Sequence, residues 1–298
     1  MDTIVIENIS KSFGPTMAVD SLSARVSAGS IHGFLGPNGA GKTTTIRMIM
    51  DILRPDRGRI EVLGRDPREA RRRVGYMPEE RGLYRRMTVR QTLEYFGALR
   101  GLRGADLARR VSDWLDRMEL ADRAAMKVEE LSRGLHQKLQ FAVTCIHGPE
   151  VLILDEPLVG LDPVNLDVLK DIILGMRREG KTVLLSTHGM HDAEELCDSI
   201  LLINKGRLVL EGKLQDVRSR YRSRVVVAKC EPADFLDSLP GVASVRRDGE
   251  QAEIALADGA DPQDVLAAMV GRARVSSFQV KVPSLHEIFV RAVGGDHA

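Results

Sequence analysis

Residues 36–44 constrain the fold of this chain more than any other stretch. They read Gly-Pro-Asn-Gly-Ala-Gly-Lys-Thr-Thr, which matches the pattern G-x-x-x-x-G-K-[ST] and adds a glycine at position 39. A run typical of a buried strand precedes them, and apolar residues at helical spacing follow at Ile46, Ile49, Met50 and Leu53. Strand, glycine-rich turn and helix are the context of a phosphate-binding loop, so the pattern favours an anion site over a chance glycine turn.

Each residue type in this loop has a physical reason. Glycines allow consecutive backbone N–H groups to face an anion, and a helix N-terminus adds partial positive charge. The Lys42 ammonium can reach the β- and γ-phosphates of a nucleotide, and the Thr43 hydroxyl can hold Mg²⁺. The residues predicted to bind phosphate are Gly36, Pro37, Asn38, Gly39, Ala40, Gly41, Lys42, Thr43 and Thr44.

The composition is typical of a globular protein without a strong field of either sign. The chain has 298 residues, which suggests about two domains, and 43% of them are hydrophobic. Lysine and arginine number 43 against 42 aspartates and glutamates, so we expect no nucleic-acid partner. The apolar runs are too short to cross a bilayer, the N-terminus is unlike a signal peptide, and the three cysteines fit a reducing compartment.

Periodicity divides the chain into an α/β region and a smaller α+β region. Strands are predicted near residues 3–6, 31–35, 59–63, 151–154 and 182–187, with a hairpin at 199–211. We place the first domain at residues 1–221, with a helical subdomain at about 88–147. Residues 222–298 are expected to form a compact α+β domain with a helix at 233–239 and a role in packing or dimer support.

Polar residues follow two of the apolar strands. Asp155 and Glu156 end the run 151–154, and His188 follows the run 182–187. In a buried parallel sheet, ligands lie beyond the carboxyl ends of the strands, so these side chains are candidates for a site.

Two further residues are candidates for specific roles. Asp162, which precedes Pro163, is typical of a helix N-cap. Phe13 lies upstream of the phosphate loop, where its ring can stack on adenine, although an isolated phenylalanine is more often part of a core.

In order and spacing, these motifs resemble the nucleotide-binding subunit of an ABC transporter over roughly the first 220 residues. Residues 36–44 resemble its Walker A motif, and residues 151–156 its Walker B motif with the catalytic acid. Residues 131–135, Leu-Ser-Arg-Gly-Leu, resemble the signature motif in degenerate form, residues 160–162 the D-loop, and His188 the switch histidine. The resemblance implies an α/β fold, a P-loop NTPase cassette with a helical subdomain, followed by the small C-terminal α+β domain.

The resemblance also implies a magnesium-dependent ATPase. Glu156 would act as general base on the attacking water, and His188 would sense the γ-phosphate. Thr43 and Asp155 would hold Mg²⁺, while Lys42 would contact the phosphates. The alternatives are an exposed acid at a strand end for Glu156 and a structural role for His188.

In this family the signature loop of one subunit closes over the ATP of another. Ser132 and Gly134 would then supply hydrogen-bond donors at a helix N-terminus, and Asp162 would lie at the interface. We therefore expect a homodimer, or a heterodimer with a similar ATPase subunit, closed around ATP.

Two motifs depart from the family pattern. Glu79 stands where the family usually has glutamine, and its carboxylate would contact nucleotide and ligate Mg²⁺ while adding negative charge beside phosphate. In the signature motif, Arg133 replaces the first glycine and Leu135 the last glutamine. Arg133 either adds positive charge near the γ-phosphate or remains solvated.

Among members of this family, the chain is most similar to the ATPases of bacterial drug, antibiotic or sodium exporters. The resemblance lies in residues 74–84 and 186–197, and residues 282–289 resemble an accessory domain that some of them carry. Its partners would be separate transmembrane permease subunits, contacted by residues such as Tyr84 unless these pack in the core. We expect a cytoplasmic protein, peripheral on the inner face of the cell membrane.

Two other classes share parts of this pattern. A soluble ABC ATPase acting on ribosomes or nucleic acid would usually carry two cassettes or a long coiled coil between its motifs. Here Lys42 and Asp155 are 155 − 42 = 113 positions apart with no sustained heptads between them. A nucleotide kinase or small GTPase would share the phosphate loop but would not explain residues 131–135 or His188.

Overall fold

The computed structural model describes residues 1–80, 82–221, 224–249 and 251–294, which form two compact units. Among the described residues, the first unit contains those of Met1–Leu214 and 292–294, and the second contains those of Gln215–Arg291. None of the helices in the described ranges combines the length and the apolar character needed to span a bilayer.

The secondary structure of the described residues is mixed. Its strands are β1 (Asp2–Phe13), β2 (Thr16–Ser27), β3 (Ile31–Leu35), β4 (Arg57–Val62), β5 (Val74–Met77), β6 (Val151–Asp155), β7 (Thr182–Thr187), β8 (Ser199–Asn204), β9 (Arg207–Lys213), β10 (Val225–Glu231), β11 (Val242–Asp248), β12 (Gln251–Leu256) and β13 (Arg274–Val280). Its α-helices are α1 (Lys42–Ile49), α2 (Pro67–Ala70), α3 (Val89–Leu99), α4 (Gly104–Arg117), α5 (Arg133–Cys145), α6 (Pro163–Arg178), α7 (Met190–Leu196), α8 (Leu214–Arg220), α9 (Pro262–Val270) and α10 (Leu285–Gly294).

The first unit is built on a six-stranded sheet with the order β5–β6–β7–β3–β8–β9. Its strands run parallel except for β9, which forms the predicted hairpin with β8. Strands β3, β6 and β7 are buried at every residue, as expected for the apolar centre of a sheet covered on both faces. Their carboxyl ends meet at one edge, where Asp155 is the Cα partner of Ser186.

A second sheet, antiparallel and ordered β2–β1–β4, covers α1. Ile4, Leu22, Phe34 and Ile46, which come from both sheets and from α1, belong to one buried cluster. The helix that follows the phosphate loop is therefore held between two sheets, which fixes the direction of its N-terminus.

The insertion between β5 and β6 is helical, as predicted. Helix α3 begins with a capping box, since Thr88 Oγ1 accepts a hydrogen bond from the Gln91 backbone and the Gln91 side chain accepts one from the Thr88 N–H. Helices α4 and α5 pack through Trp114 and Phe141, whose ring centroids lie 6.4 Å apart.

The second unit is a four-stranded antiparallel sheet in the order β11–β12–β10–β13, with its own apolar core. The predicted helix over 233–239 is wrong, because only Leu236–Ser238 form a short 3-10 turn. Leu239 is extended, with ψ of 140°, since the residue before a proline avoids the helical region.

The helix after the phosphate loop is shorter than its apolar spacing suggests. Helix α1 ends at Ile49, with Met50 as its C-cap, so Leu53 lies outside it. Met50 and Leu53 nevertheless pack against the core as partly buried residues.

Candidate functional site

The loop between β3 and α1 lies at the edge of the central sheet and leads into the N-terminus of α1. The N-cap of α1 is Gly41, and no side chain among the described residues caps this end of the helix. Gly41 has φ of 105°, and a Cβ atom there would lie 2.6 Å from the Ala18 carbonyl oxygen of β2. Only glycine fits this backbone, so β2 fixes the curvature of the loop.

Lys42 is the first residue of α1 and only 6% exposed. Its Nζ donates to the carbonyl oxygen of Gly36 at 2.7 Å and to that of Pro37 at 3.3 Å. It also lies 3.6 Å from Glu156 Oε1. The ammonium thus lies between the phosphate loop and the acid that follows β6.

Asp155 is fully buried below the loop. Its Oδ1 accepts hydrogen bonds from Ser186 Oγ at 2.5 Å and from Thr43 Oγ1 at 3.4 Å. Its Oδ2 is buried and has no hydrogen-bond partner in the part of the chain that the structure describes. Burial raises the pKa of the Asp155 carboxyl above its ordinary value, and the two hydroxyl hydrogen bonds oppose this shift.

Glu156 has a left-handed backbone, with φ of 50°, directly after β6. Its N–H donates to Ser186 Oγ at 3.0 Å, and both of its carboxylate oxygens lie 3.1 Å from His188 Nδ1. Glu156 is 8% exposed, so the interpretation of this residue as an exposed acid is wrong. The left-handed turn directs the carboxylate towards Lys42 instead of continuing the alternation of the strand.

These side chains line an open cleft of about 530 Å³ above the loop. Its lining residues are Ala18, Asn38, Gly39, Ala40, Gly41, Lys42, Thr43, Thr44, Glu79, Glu156, Val159 and His188. The cleft therefore combines backbone donors, one lysine, two carboxylates and a histidine, which is a set suited to a triphosphate and an attacking water.

Three of the predicted residues lie elsewhere, at the start of two neighbouring helices. Ser132 is the N-cap of α5 and Asp162 the N-cap of α6, which confirms the predicted cap at Asp162. A Cβ atom on Gly134 would lie 3.3 Å from Asp162 Oδ2 and 3.0 Å from Asn165 Nδ2. These residues form a second small group, and none of them lines the cleft of their own chain.

Phe13 is 51% exposed at the end of β1, so its interpretation as a core residue is wrong. Lys11 Nζ lies 6.0 Å from the centre of its ring. The ring does not line the cleft described above.

Sequence reasoning missed three residues of this site. Ala18 lines the cleft from β2, Ser186 bonds to Asp155 and Glu156, and Gln140 bonds to the loop that carries Glu79. All three act through contacts with residues distant in the sequence, so no local pattern identifies them.

Comparison with known proteins agrees with this geometry. A family model described as ABC transporter matches residues 19–159, and one described as ATP-binding protein DrrA1-3-like, C-terminal domain, matches residues 212–293. The chain is 37% identical over 293 residues to YhaQ, an uncharacterised ABC transporter ATP-binding protein of Bacillus subtilis, with 98% of each chain covered.

The chain belongs to the ABC transporter ATP-binding proteins. This ABC ATPase is also 34% identical to the Nod factor export ATP-binding protein I of Sinorhizobium fredii, over 98% of this chain and 86% of the relative. A solved structure described as the ATP-binding subunit of an ABC transporter superposes with a TM-score of 0.69 and 30% identity, covering 74% of this chain and 93% of that one.

Membership of this family decides between the classes considered from the sequence. The family hydrolyses ATP, so the chain is an ATPase with ATP as its substrate, and its α/β P-loop fold is confirmed. The chain is the ATP-binding component of an ABC transporter, and this role implies that it has membrane permease partners. The interpretations as a ribosome- or nucleic-acid-directed ATPase, nucleotide kinase or small GTPase do not fit these relatives.

Proposed function

We propose that this ABC ATPase powers export through separate transmembrane permease subunits. Support comes from the relative named for Nod factor export and from the match of residues 212–293 to the C-terminal domain of DrrA-like proteins. The ATPase would then be cytoplasmic and peripheral on the inner face of the membrane. We keep the predicted domain limits of 1–221 and 222–298, with a helical subdomain at about 88–147.

The observation that carries the mechanism is the position of the Glu156 carboxylate, between Lys42 Nζ at 3.6 Å and His188 Nδ1 at 3.1 Å. In this position it would accept a proton from a water that attacks the γ-phosphate, as a general base. His188 would hold the carboxylate in place and contact the γ-phosphate. Lys42 and the loop N–H groups would stabilise the negative charge of the phosphates.

Thr43 and Asp155 suit a magnesium ion. Asp155 Oδ2 is a buried carboxylate oxygen without a partner among the described residues, and Thr43 Oγ1 lies beside the same carboxylate. Mg²⁺ is usually held by one or two protein ligands together with waters and phosphate oxygens, so two such groups are sufficient. The ion would supply charge neutralisation at the phosphates, and Glu79, which lines the same cleft, would be a further ligand.

The ATP-binding site would be completed by residues of a second subunit. Ser132, Gly134 and Asp162 lie at adjacent helix N-termini and do not line their own cleft, so they are available to the ATP of a partner. The ATP-bound protein would be a homodimer, or a heterodimer with a similar ATPase. Phe13, which is exposed, would stack on the adenine ring.

An exposed aromatic cluster supports contact with a permease. Tyr84 is 52% exposed, and its ring lies 5.4 Å from that of Tyr95 and 6.2 Å from that of Phe96. Tyr84 follows the loop of Glu79, so a protein bound to this cluster would be close to the cleft. A helix of a membrane subunit with apolar side chains is the kind of segment that such a surface would bind.

The test is Glu156→Gln, which keeps the size of the side chain but removes its basicity. We expect ATP hydrolysis to fall by at least about 10²-fold while ATP still binds. Light scattering at saturating Mg-ATP should then show a trapped dimer. Glu150→Gln is the matched control, because Glu150 lies at the other end of β6, paired with Arg73, and this variant should keep normal activity.

Two results would contradict the proposal. Hydrolysis at the normal rate in Glu156→Gln would exclude the general base. A monomer at saturating Mg-ATP, without a membrane partner present, would exclude the homodimer.

A further inference from the structure

Gln140 connects α5 to the loop that carries Glu79. It lies on the buried side of α5 and is 4% exposed. Its Nε2 donates to the carbonyl oxygen of Pro78 at 2.8 Å and to that of Glu80 at 3.1 Å. The two acceptors are the main-chain groups on either side of Glu79, so one amide holds both ends of this residue.

The contact depends on the donor character of the side chain. A main-chain carbonyl only accepts hydrogen bonds, so two carbonyls fix the NH₂ group against them. The other end of the amide, Gln140 Oε1, is buried and finds no partner within the described ranges of the chain. In this buried amide the NH₂ group makes the hydrogen bonds and the oxygen makes none among the described residues, so the contribution of the side chain lies in its donors.

The held residue is the one that departs from the family pattern. Glu79 is exposed and lines the cleft together with Lys42 and Thr43. Phosphates repel a nearby carboxylate, so Glu79 stays in the cleft only if its backbone is restrained against this repulsion or a cation offsets it. The two hydrogen bonds to the carbonyls of Pro78 and Glu80 supply this restraint on the backbone, while the side chain of Glu79 is exposed.

We propose that Gln140 is a positioning residue for Glu79, which keeps the carboxylate in the nucleotide cleft. The proposal rests on the proposed function, since it assigns Glu79 a role at the ATP site. The contact of Gln140 also links the cleft to the N-terminus of α5, because Gln140 lies on this helix and Ser132 is its N-cap. A shift of the Glu79 loop would therefore be transmitted to the residues offered to a partner.

The experiment uses two variants of the purified full-length chain. Gln140→Glu keeps the shape but directs a carboxylate against the two carbonyls, and Gln140→Leu keeps the volume but removes the donors. We expect kcat for ATP to fall roughly tenfold in both, with the ATP affinity changed by less than about threefold. In a chain that already carries Glu79→Ala, either change at Gln140 should lower kcat little further. The reason is that both residues act through the same carboxylate.

A second measurement does not need activity. A glutamyl endopeptidase cuts after Glu79 and Glu80, and release of this loop should raise its cleavage rate several-fold in both Gln140 variants. Thr144→Val is the matched control one helical turn along α5, where Thr144 Oγ1 donates to the Gln140 main-chain carbonyl oxygen at 2.9 Å and lies 3.4 Å from the Tyr76 carbonyl oxygen, without a hydrogen bond to the side-chain amide of Gln140. It removes a buried polar contact to β5 and should leave both kcat and the cleavage rate unchanged.

The outcomes separate this inference from the proposed function. If Glu156→Gln is inactive but the losses at Gln140 and Glu79 are additive, Gln140 does not act through Glu79 and only this inference fails. Unchanged cleavage of the loop in both Gln140 variants would also overturn it. If the wild-type chain hydrolyses no ATP, the proposed function fails, and the cleavage assay still decides whether Gln140 holds the loop.

Discussion

Ser186 Oγ donates a hydrogen bond to Asp155 Oδ1 at 2.5 Å. Ser186 Oγ also accepts a hydrogen bond from the Glu156 N–H at 3.0 Å. One buried hydroxyl on β7 therefore holds both acidic residues at the carboxyl end of β6, Asp155 within the strand and Glu156 directly after it. It turns Asp155 so that Oδ1 is occupied and Oδ2 is left for another ligand.

Ser186→Ala should lower kcat for ATP about tenfold and raise the Mg²⁺ concentration needed for half-maximal activity. The physical reason is that both acids lose their common hydrogen-bond partner, which also costs about 1–3 kcal/mol of stability. Steady-state ATPase assays at varied Mg²⁺ and thermal unfolding measure these effects. Thr182→Val, at the other end of β7, removes the Thr182 hydroxyl that bonds to the Gly29 N–H and should affect stability alone. Normal Mg²⁺ dependence in Ser186→Ala would contradict the prediction.

Gly41→Ala should weaken ATP binding more than Gly39→Ala does. Both glycines are left-handed, so alanine costs about 1–2 kcal/mol at each. A Cβ on Gly41 also meets the Ala18 carbonyl oxygen at 2.6 Å, whereas one on Gly39 meets nothing within 4 Å in the described chain. Titration with a fluorescent ATP analogue should show at least a roughly tenfold larger loss at Gly41. Equal losses would mean that β2 does not shape the loop.

His188→Ala should reduce kcat by about 10²-fold with little change in ATP affinity, because it removes the imidazole that contacts Glu156 and that, in the proposed mechanism, would contact developing charge. Single-turnover hydrolysis and equilibrium binding separate the two effects. His191→Ala is the control, since His191 is 81% exposed and pairs with Glu195 on α7. A loss of binding that equals the loss of kcat would assign His188 to ground-state binding.

The stability of the first unit should fall as the pH decreases from about 6.5 to about 4. Burial, followed by the charges of Arg100 and Arg110, lowers the pKa of His147 to about 4. In this window the unfolded chain binds a proton at His147 that the folded chain does not, so acid favours unfolding. Urea unfolding followed by fluorescence of Trp114, the one tryptophan, measures this slope. His147→Gln should flatten it, whereas His286→Gln, which changes an exposed side chain, should leave it unaltered.

Much of the first unit could be predicted because its strands are apolar and its turns have specific chemistry. Strand β7 was predicted at its observed bounds, and the caps at Thr88 and Asp162 follow from local sequence alone. Strand β2 was missed, since alternation of Leu22, Ala24 and Val26 with polar residues is a weaker signal than a continuous apolar run.

The residues of the candidate site that could be predicted are polar side chains directly at the end of an apolar strand, such as Asp155, Glu156 and His188. The residues that were missed have their role only through tertiary contacts. Ser186 is an ordinary strand serine in the sequence, and only the register of β6 against β7 places it under Asp155. Gln140 contacts residues about 60 positions away, so no local pattern links it to the loop of Glu79.

The left-handed backbone of Glu156 sets activity against stability at this position. A glutamate with φ of 50° is strained by about 1–2 kcal/mol, and glycine or asparagine would relieve that strain. A selection for thermal resistance alone would therefore favour replacing Glu156, the proposed general base. Retention of glutamate here would then reflect selection for ATP turnover, and the most heat-stable variants at residue 156 would be the ones that no longer turn over ATP.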